Sequence, residues 1–252
     1  MTYKLTVLVV DDDRYMAQTL VDILELSGYR AMQAFSAEEA VDAIAREKPD
    51  CVLTDVRMPG MNGVELFREI RKTHTDLPVV LMTAYASDDL IEQGLQQGVL
   101  GLLTKPLEIN QLLDFLAALA RQRCLAVVDD DPEFCRTLAD ILTRRGFKVK
   151  QVSDPHAVLP SISADLQAVL LDMKLNSIDG SVVIRVLREQ YPDLPVLLIT
   201  GYRREMMASI EKALEMNAFA CLYKPLDIPH LVSTLDALWQ ERLKRTLQGK
   251  HV

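Results

Sequence analysis

The sequence predicts an α/β protein that carries two doubly wound parallel sheets in tandem. Short all-apolar runs alternate with segments whose apolar residues are spaced three and four apart. Each apolar run ends abruptly in a polar residue, and the second half of the chain repeats the first. Runs rich in Val and Leu are typical of strands buried on both faces, and their alternation with helices indicates βα units.

The elements of the first half follow from this pattern. LTVLVV precedes Asp11, CVLT precedes Asp55 and LPVVLM precedes Thr83, and each run has the length of a buried strand. Helical spacing marks the segments between these runs, at positions 16–24 and 64–70. Strands that alternate with helices in this way predict a parallel sheet with helices on both faces.

A duplicated domain explains the second half of the chain. CLAVVDDD repeats TVLVVDDD, VLLDMKLNSIDG repeats VLTDVRMPGMNG, LPVLLITGY repeats LPVVLMTAY and LYKPL repeats LLTKPL, at spacings of 117 to 119 residues. The last helical pattern of the first copy ends near Arg121, and the next strand starts at Cys124. We therefore predict domains at 1–121 and 124–252, the second with an extended C-terminal helix.

Composition and charge limit the possible functions. Hydrophobic residues make up 49% and charged residues 25% of the 252 residues, and the formal net charge is −8. A negative chain lacks the cationic surface that nonspecific nucleic-acid binding requires. No apolar run reaches the roughly 18 residues of a membrane helix, and the N-terminus lacks a signal-peptide pattern. We expect a cytoplasmic protein with reduced cysteines and no direct nucleic-acid or membrane contact.

The polar residues that end the strands of the first half should meet at one edge of the sheet. In an open parallel sheet, ligands bind in the crevice at the carboxyl ends of the strands. The five residues expected there are Asp11, Asp12, Asp55, Thr83 and Lys105. A single aspartate after a strand often only caps the next helix. Five matched positions that occur twice in one chain favour a shared site instead.

The second half supplies the same set, Asp129, Asp130, Asp172, Thr200 and Lys224. Two carboxylates about 4 Å apart repel by roughly 4 kcal/mol at an effective dielectric constant of 20, so three in one pocket need a cation or protonation. Oxygen ligands with open positions for water and phosphate suit Mg²⁺ better than zinc or copper. Mg²⁺ and the lysine together balance three carboxylates, which leaves a pocket that can accept a phosphoryl group.

The motifs VVDDD, LTDVRMPGMNG, MTAY and LTKP, with their second copies, are similar to those of response regulator receiver domains of bacterial two-component signalling. The resemblance covers residues 4 to 240. It implies two flavodoxin-like (βα)5 receiver domains in tandem, with Asp55 and Asp172 as the phosphoacceptors.

The resemblance also implies roles for the other motif residues. Asp12 and Asp130 bind Mg²⁺ directly in this scheme, whereas Asp11 and Asp129 act mainly through water. A backbone carbonyl two positions after each acceptor completes the metal site, and a threonine and a lysine hold the phosphoryl group. These residues are Arg57, Thr83 and Lys105 in the first domain and Lys174, Thr200 and Lys224 in the second.

The resemblance implies one Mg²⁺ per domain and, as partner, a sensor histidine kinase or a histidine phosphotransfer protein of a phosphorelay. The acceptor carboxylate attacks a phosphohistidine and forms a short-lived aspartyl phosphate. Such a domain catalyses only its own phosphorylation and dephosphorylation, so we do not expect an enzyme in the usual sense. The apolar stripe of the extended last helix is compatible with core packing, with a homodimer contact or with a connection to an output domain.

Three positions depart from the pattern of the family. Receiver domains commonly carry an aromatic residue three positions before the lysine, where this chain has Leu102 and Cys221. The second acceptor loop has Asn176 in place of the proline that stiffens such loops. Aromatic coupling to the site therefore lacks its usual residue, and a looser second acceptor loop is expected.

Three other functions compete with a switching module whose output comes through a partner or a further segment. One is the input half of a longer regulator with a cyclase, kinase or DNA-binding output. Another is an aspartate-based phosphatase, but its motif DxDx[TV] is replaced by DVRM and DMKL after the two third strands. The third is a degenerate scaffold, which the full set of acidic, Thr and Lys residues in both halves disfavours.

Overall fold

The computed structural model describes residues 5–85, 89–120, 123–154, 157–163, 166–175, 178–201, 211 and 215–248. The chain forms two compact units, one of Met1–Ala120 with Arg242–Val252 and the other of Arg121–Glu241. Each unit contains one five-stranded parallel sheet with helices between its strands. The predicted fold class, two doubly wound parallel sheets in tandem, is confirmed.

The first unit alternates strands and helices along its length. Its strands are β1 (Thr6–Val10), β2 (Arg30–Ala34), β3 (Cys51–Asp55), β4 (Val79–Thr83) and β5 (Gly101–Thr104). Its helices are α1 (Arg14–Leu26), α2 (Ala37–Arg46), α3 (Gly63–Arg71), α4 (Asp89–Gln96) and α5 (Ile109–Ala120). The strands pair in parallel in the order β2-β1-β3-β4-β5, so the strand order reverses at β1.

The apolar runs of the first half lie in the core, as predicted. Residues 7–10 of β1 and 79–83 of β4 are buried, because helices cover both faces of these central strands. The helical stripe at 64–70 is also buried, through Val64, Phe67 and their neighbours. One member of the stripe at 16–24 behaves differently, since the Met16 side chain at the start of α1 is exposed.

Side-chain caps set where the helices near the strand ends begin. The Asp13 carboxylate accepts the backbone N–H groups of Tyr15 and Met16 and so starts α1 directly after β1. Asn62 and Glu65 form a reciprocal capping box at the start of α3. These bonds satisfy N–H groups that have no partner inside the helix and hold each helix start close to the strand before it.

The second unit repeats this plan with one addition. Its strands are β6 (Arg123–Val128), β7 (Phe147–Val152), β8 (Leu166–Asp172), β9 (Lys174–Leu175), β10 (Ile178–Asp179), β11 (Val196–Thr200) and β12 (Ala220–Tyr223). Its helices are α6 (Pro132–Thr143), α7 (Val158–Ser161), α8 (Gly180–Gln190) and the part of α9 (Ile228–Leu247) that precedes Arg242. The main sheet has the parallel order β12-β11-β8-β6-β7, which is the order of the first sheet with equivalent strands in the same places.

The addition is a small hairpin in the second acceptor loop. β9 and β10 pair antiparallel, with Leu175 opposite Ile178 and Lys174 opposite Asp179. The substitution at Asn176 lies outside the described residues, but this ladder flanks it on both sides. Backbone hydrogen bonds therefore join the two sides of the loop, and the looser geometry expected from the missing proline stays a prediction.

The last helix is longer than its counterpart in the first half. α9 has 20 residues and α5 has 12. Leu231 and Leu235 belong to the core of the second unit, and Leu243 and Leu247 are buried as well. The predicted apolar stripe is thus used for packing within the chain. In the described part of the protein, no helix is long and apolar enough to cross a bilayer.

Glycine at the start of α3 allows the helix to approach the acceptor strand closely. A Cβ atom on Gly63 would lie 2.2 Å from the backbone carbonyl oxygen of Asp55, far inside van der Waals contact. The Gly63 N–H donates to the Val56 carbonyl oxygen at 3.0 Å, which keeps the two segments together. Gly180 of α8 has the same role, with a Cβ that would lie 2.9 Å from the Asp172 carbonyl oxygen.

We predict that Gly63→Ala lowers the free energy of unfolding by about 2 to 3 kcal/mol, because backbone atoms must move to admit the methyl group. Gly98→Ala is the matched control. Gly98 has a φ of +99° and nothing within 4 Å of its Cβ position, so an alanine there meets only backbone strain. That strain should cost about 1 kcal/mol. Urea denaturation followed by circular dichroism measures both, and equal losses would show that the Asp55 carbonyl does not restrict this position.

Candidate functional site

The first site lies at the carboxyl ends of β1, β3, β4 and β5, where the strand order reverses. Asp11 and Asp12 follow β1, and Asp55 is the last residue of β3. Thr83 ends β4, and Lys105 follows β5 with its backbone N–H donated to the Thr83 carbonyl oxygen at 2.6 Å. All five predicted side chains therefore come from strand ends at one edge of the sheet.

Two of the aspartates share the lysine. Lys105 Nζ lies 2.6 Å from Asp11 Oδ2 and 2.8 Å from Asp55 Oδ2, so the ammonium bridges both carboxylates. Carboxylate oxygens of Asp11, Asp12 and Asp55 all lie within 4.8 Å of one another. The Asp11 side chain is buried, whereas Asp12 is exposed at the mouth of the site.

Burial and charge determine the protonation of this cluster. Burial raises the pKa of Asp11 above its ordinary value, although the hydrogen bond from Lys105 opposes this shift. Burial also disfavours the charged form of Lys105, but its hydrogen bonds to Asp11 and Asp55 outweigh that cost and leave the lysine pKa raised. Lys105 therefore stays protonated and positively charged between the two carboxylates.

The entrance of the first site is formed by Thr83, Tyr85 and Arg57. The buried Thr83 hydroxyl accepts the Tyr85 N–H at 3.0 Å and donates to the Tyr85 carbonyl oxygen at 3.2 Å. The Tyr85 ring is largely exposed, and the Arg57 guanidinium lies 5.8 Å from its centroid. The Arg57 N–H points to Asp55 Oδ1 at 3.4 Å. The predicted metal contact of the Arg57 carbonyl remains a prediction.

The second site has the same construction. Carboxylate oxygens of Asp129, Asp130 and Asp172 lie within 4.8 Å of one another. The Lys224 N–H donates to the Thr200 carbonyl oxygen at 2.9 Å, as the equivalent bond does in the first site. Its ammonium lies 2.6 Å from Asp129 but 3.6 Å from Asp172. Lys174, two residues after the acceptor, is exposed in β9, and its carbonyl contact also remains a prediction.

Asp172, the predicted acceptor of the second site, is a weaker acid than an ordinary aspartate. Burial raises the pKa of Asp172 to about 6, and repulsion from Asp129 and Asp130 adds to the shift while Lys224 opposes it. Burial disfavours the charged form of Lys224 too, but Asp129 and Asp172 together leave its pKa raised. One lysine does not balance the charge of three carboxylates, so the cluster favours a bound cation or protonation, as predicted from the sequence.

Two features of the sites do not follow from the motifs. The third aspartate of each DDD run, Asp13 and Asp131, lies outside the acidic cluster and caps the next helix. Phe134, in the first turn of α6, places its ring centroid 4.1 Å from the Lys224 ammonium. Alignment of the two repeats pairs Phe134 with Met16, so the sequence contains the difference but not its position beside the lysine.

The donor set fits a hard divalent cation. Each cluster offers carboxylate oxygens from three aspartates at mutual distances compatible with one ion, and neither contains a histidine or a cysteine. Mg²⁺ prefers oxygen ligands and keeps several waters, so one or two direct carboxylates are enough. Zinc and copper sites normally use nitrogen or sulfur ligands instead.

Comparison with known proteins agrees with this geometry. The family model of the response regulator receiver domain matches residues 7–117 and again 125–236. The chain is 31% identical over 236 residues to a response regulator receiver protein of Anaeromyxobacter sp. (strain Fw109-5), across 93% of this chain and 95% of that protein. It is 40% identical over 126 residues to the response regulator protein FleR of Pseudomonas aeruginosa, across 50% of this chain and 27% of that protein.

Among solved structures, the Francisella response regulator 1452 receiver domain is 32% identical, with a TM-score of 0.43, and the match covers 46% of this chain and 96% of that one. Receiver domains generally bind Mg²⁺ at an acidic pocket and interact with histidine kinases or phosphotransfer proteins. The two matched segments contain both acidic clusters. The chain therefore belongs to the response regulator receiver family and is a phosphoryl-accepting regulator of two-component signalling with two receiver domains.

Proposed function

We propose that Asp55 and Asp172 each accept a phosphoryl group from the phosphohistidine of a sensor histidine kinase or a histidine phosphotransfer protein. One observation carries the proposal. In both units, three carboxylates, a lysine ammonium and a buried threonine converge at the same strand ends. The acceptor is the carboxylate that ends the third strand of the main sheet in chain order.

The transfer exchanges one bond to phosphorus for another. A carboxylate oxygen of Asp55 attacks the phosphorus atom, the bond from phosphorus to the imidazole nitrogen breaks, and its electron pair stays with that nitrogen. The imidazole then takes a proton from solvent. Positioning and charge neutralisation supply most of the catalysis in such transfers. The protein thus catalyses only its own phosphorylation and the later hydrolysis of the aspartyl phosphate.

Mg²⁺ fits the acidic cluster of each unit. Asp12 and Asp55, with the Arg57 carbonyl, would hold it in the first unit, and Asp11 would act through water. The counterparts in the second unit are Asp130, Asp172, the Lys174 carbonyl and Asp129. When bound, the ion neutralises charge on the acceptor and on the incoming phosphoryl oxygens.

The lysine and the threonine have separate tasks. Lys105 already contacts Asp55 at 2.8 Å, so its ammonium can pair with a phosphoryl oxygen attached there. The Thr83 hydroxyl is bonded to the Tyr85 backbone in the resting site and must turn to donate to the phosphoryl group. The Tyr85 segment is therefore the first part of the chain that senses the reaction. Output through a partner, a homodimer or a further segment is compatible with this step.

We predict that acetyl phosphate and Mg²⁺ add up to two phosphoryl groups per chain, counted by intact-protein mass spectrometry. Asp55→Asn and Asp172→Asn should each remove one group and the double variant both, because the amide is not a nucleophile of this kind. Asp140→Asn on the exposed face of α6 is the control and should retain both. Two phosphoryl groups on the double variant would place the acceptors elsewhere.

Crowding by Tyr85 leads to a prediction about the lifetime of the first aspartyl phosphate. The Tyr85 ring centroid lies 5.8 Å from the Arg57 guanidinium, and we expect these two side chains to crowd the water that attacks a phosphoryl group on Asp55. Tyr85→Ala should therefore speed hydrolysis at Asp55 by about threefold or more, equivalent to roughly 0.7 kcal/mol of barrier. Decay of the mass-shifted species in the Asp172→Asn background measures this, and an unchanged or slower rate would contradict it. The corresponding Tyr202 lies outside the described residues.

The acidity of Asp172 predicts how the metal-free protein responds to pH. A folded-state pKa of about 6, above the unfolded value of 3.8, means that ionisation of Asp172 costs stability, and this cost grows as the pH rises from 3.8 and is fully present above 6. In EDTA at pH 7.5, Asp172→Asn should raise the free energy of unfolding by roughly 2 kcal/mol. The gain should shrink as the pH falls through 6 towards 4, whereas Asp140→Asn should show no such trend. A gain independent of pH would contradict the predicted acidity.

A further inference from the structure

The two sites hold their lysines at different distances from the acceptor. Lys105 lies 2.8 Å from Asp55 and makes a hydrogen bond to it. Lys224 lies 3.6 Å from Asp172, beyond ordinary hydrogen-bond distance, while it remains 2.6 Å from Asp129. Its side chain is also more exposed, 27% against 16% for Lys105. The second lysine is therefore hydrogen-bonded to Asp129, whereas its ion pair with the acceptor is longer than the equivalent pair in the first site.

An aromatic ring is a further contact of the second lysine. The Lys224 ammonium lies 4.1 Å from the centroid of the Phe134 ring. The face of a phenylalanine ring attracts a cation, and this attraction is stronger where water is partly excluded. Phe134 is half-buried and packs against the core of its unit, so its ring has little freedom to move away. Asp129 and the ring together hold the ammonium in its resting place.

The first unit provides a comparison within the same chain. Asp131 caps α6 as Asp13 caps α1, and the cap accepts the N–H of Phe134 at 3.1 Å and that of Met16 at 3.2 Å. Phe134 and Met16 therefore occupy equivalent positions. A methionine has no aromatic face to offer a lysine, and the Met16 side chain is exposed. The unit with the aromatic residue is therefore the one whose lysine lies farther from the acceptor.

We propose that Phe134 is a positioning residue that keeps Lys224 in a resting position away from Asp172. The ammonium must leave the ring before it can pair fully with a phosphoryl group on the acceptor. The second site therefore takes up a phosphoryl group, or a mimic of it, less readily than the first. This functional consequence rests on the proposed phosphoryl transfer, whereas the placement of the lysine on the ring can be tested without it.

The placement is tested by NMR of lysine labelled with ¹³C at Cε, in metal-free wild-type protein and in Phe134→Met. Protons above a ring face are shifted upfield, so the Lys224 CεH₂ signal should lie upfield and lose that shift in the variant. Lys224→Arg assigns the signal by deleting it, and the Lys105 signal should not move. A Lys224 signal that is the same with and without the ring would overturn the placement.

The consequence is tested by titration with beryllofluoride in the presence of Mg²⁺, followed by ¹⁹F NMR. In the Asp55→Asn background, which leaves only the second site, Phe134→Met should raise the affinity by about threefold or more. In the Asp172→Asn background, Met16→Phe should weaken binding at the first site. Circular dichroism confirms that each variant is folded, and methionine is the residue that the first unit already uses.

The outcomes separate this inference from the function on which it rests. Loss of the upfield shift together with unchanged beryllofluoride affinity would show that the ring holds the lysine but does not restrain the site, which overturns the proposal. Absence of beryllofluoride binding at either site of the wild type would overturn the proposed phosphoryl transfer instead. In that case the lysine signal would still establish whether Phe134 positions Lys224.

Discussion

Repulsion among clustered carboxylates is the constraint on which both units depend. Each sheet brings three aspartates from two strand ends within 4.8 Å, and a lysine from the end of another strand joins them. Lys105 and Asp11 are separated by 94 positions in the chain, so their ion pair connects the last strand of the sheet to the first. Buried ion pairs contribute little net stability, because desolvation offsets much of the attraction. Their occurrence twice at equivalent places indicates a site that is maintained for binding a cation and an anion together.

The backbone around each acceptor is restrained by different means in the two units. In the first unit, Gly63 brings α3 against the Asp55 carbonyl. In the second unit, Gly180 makes a similar approach, and the β9–β10 ladder adds backbone hydrogen bonds next to Lys174. The two units thus differ in the backbone beside the predicted acceptor, because only the second has a hairpin there.

Much of the fold and site could be predicted from the sequence, because strand ends in a parallel sheet converge whatever their loops do. The apolar runs were enough to predict that the residues that follow them, Asp11, Asp55 and Lys105, lie close together. The distance of Lys224 from Asp172 and its contact with Phe134 could not be predicted. Both depend on side-chain rotamers and on where the first turn of α6 lies relative to the sheet. The pairing between the short segments that flank Asn176 was not predicted either, because it depends on tertiary structure and not on local preference. Local residue preferences are weak where tertiary pairing is available.

The unequal lysine contacts have a consequence for the chain as a whole. Two acceptors of equal readiness would fill at random, and the half-modified population would be a mixture of two species. An acceptor restrained by the Phe134 ring lags behind its neighbour, so the half-modified chain becomes predominantly one species, with Asp55 loaded and Asp172 empty. As phosphorylation proceeds, the chain then passes in a fixed order through three states: unmodified, phosphorylated at Asp55, and phosphorylated at both aspartates.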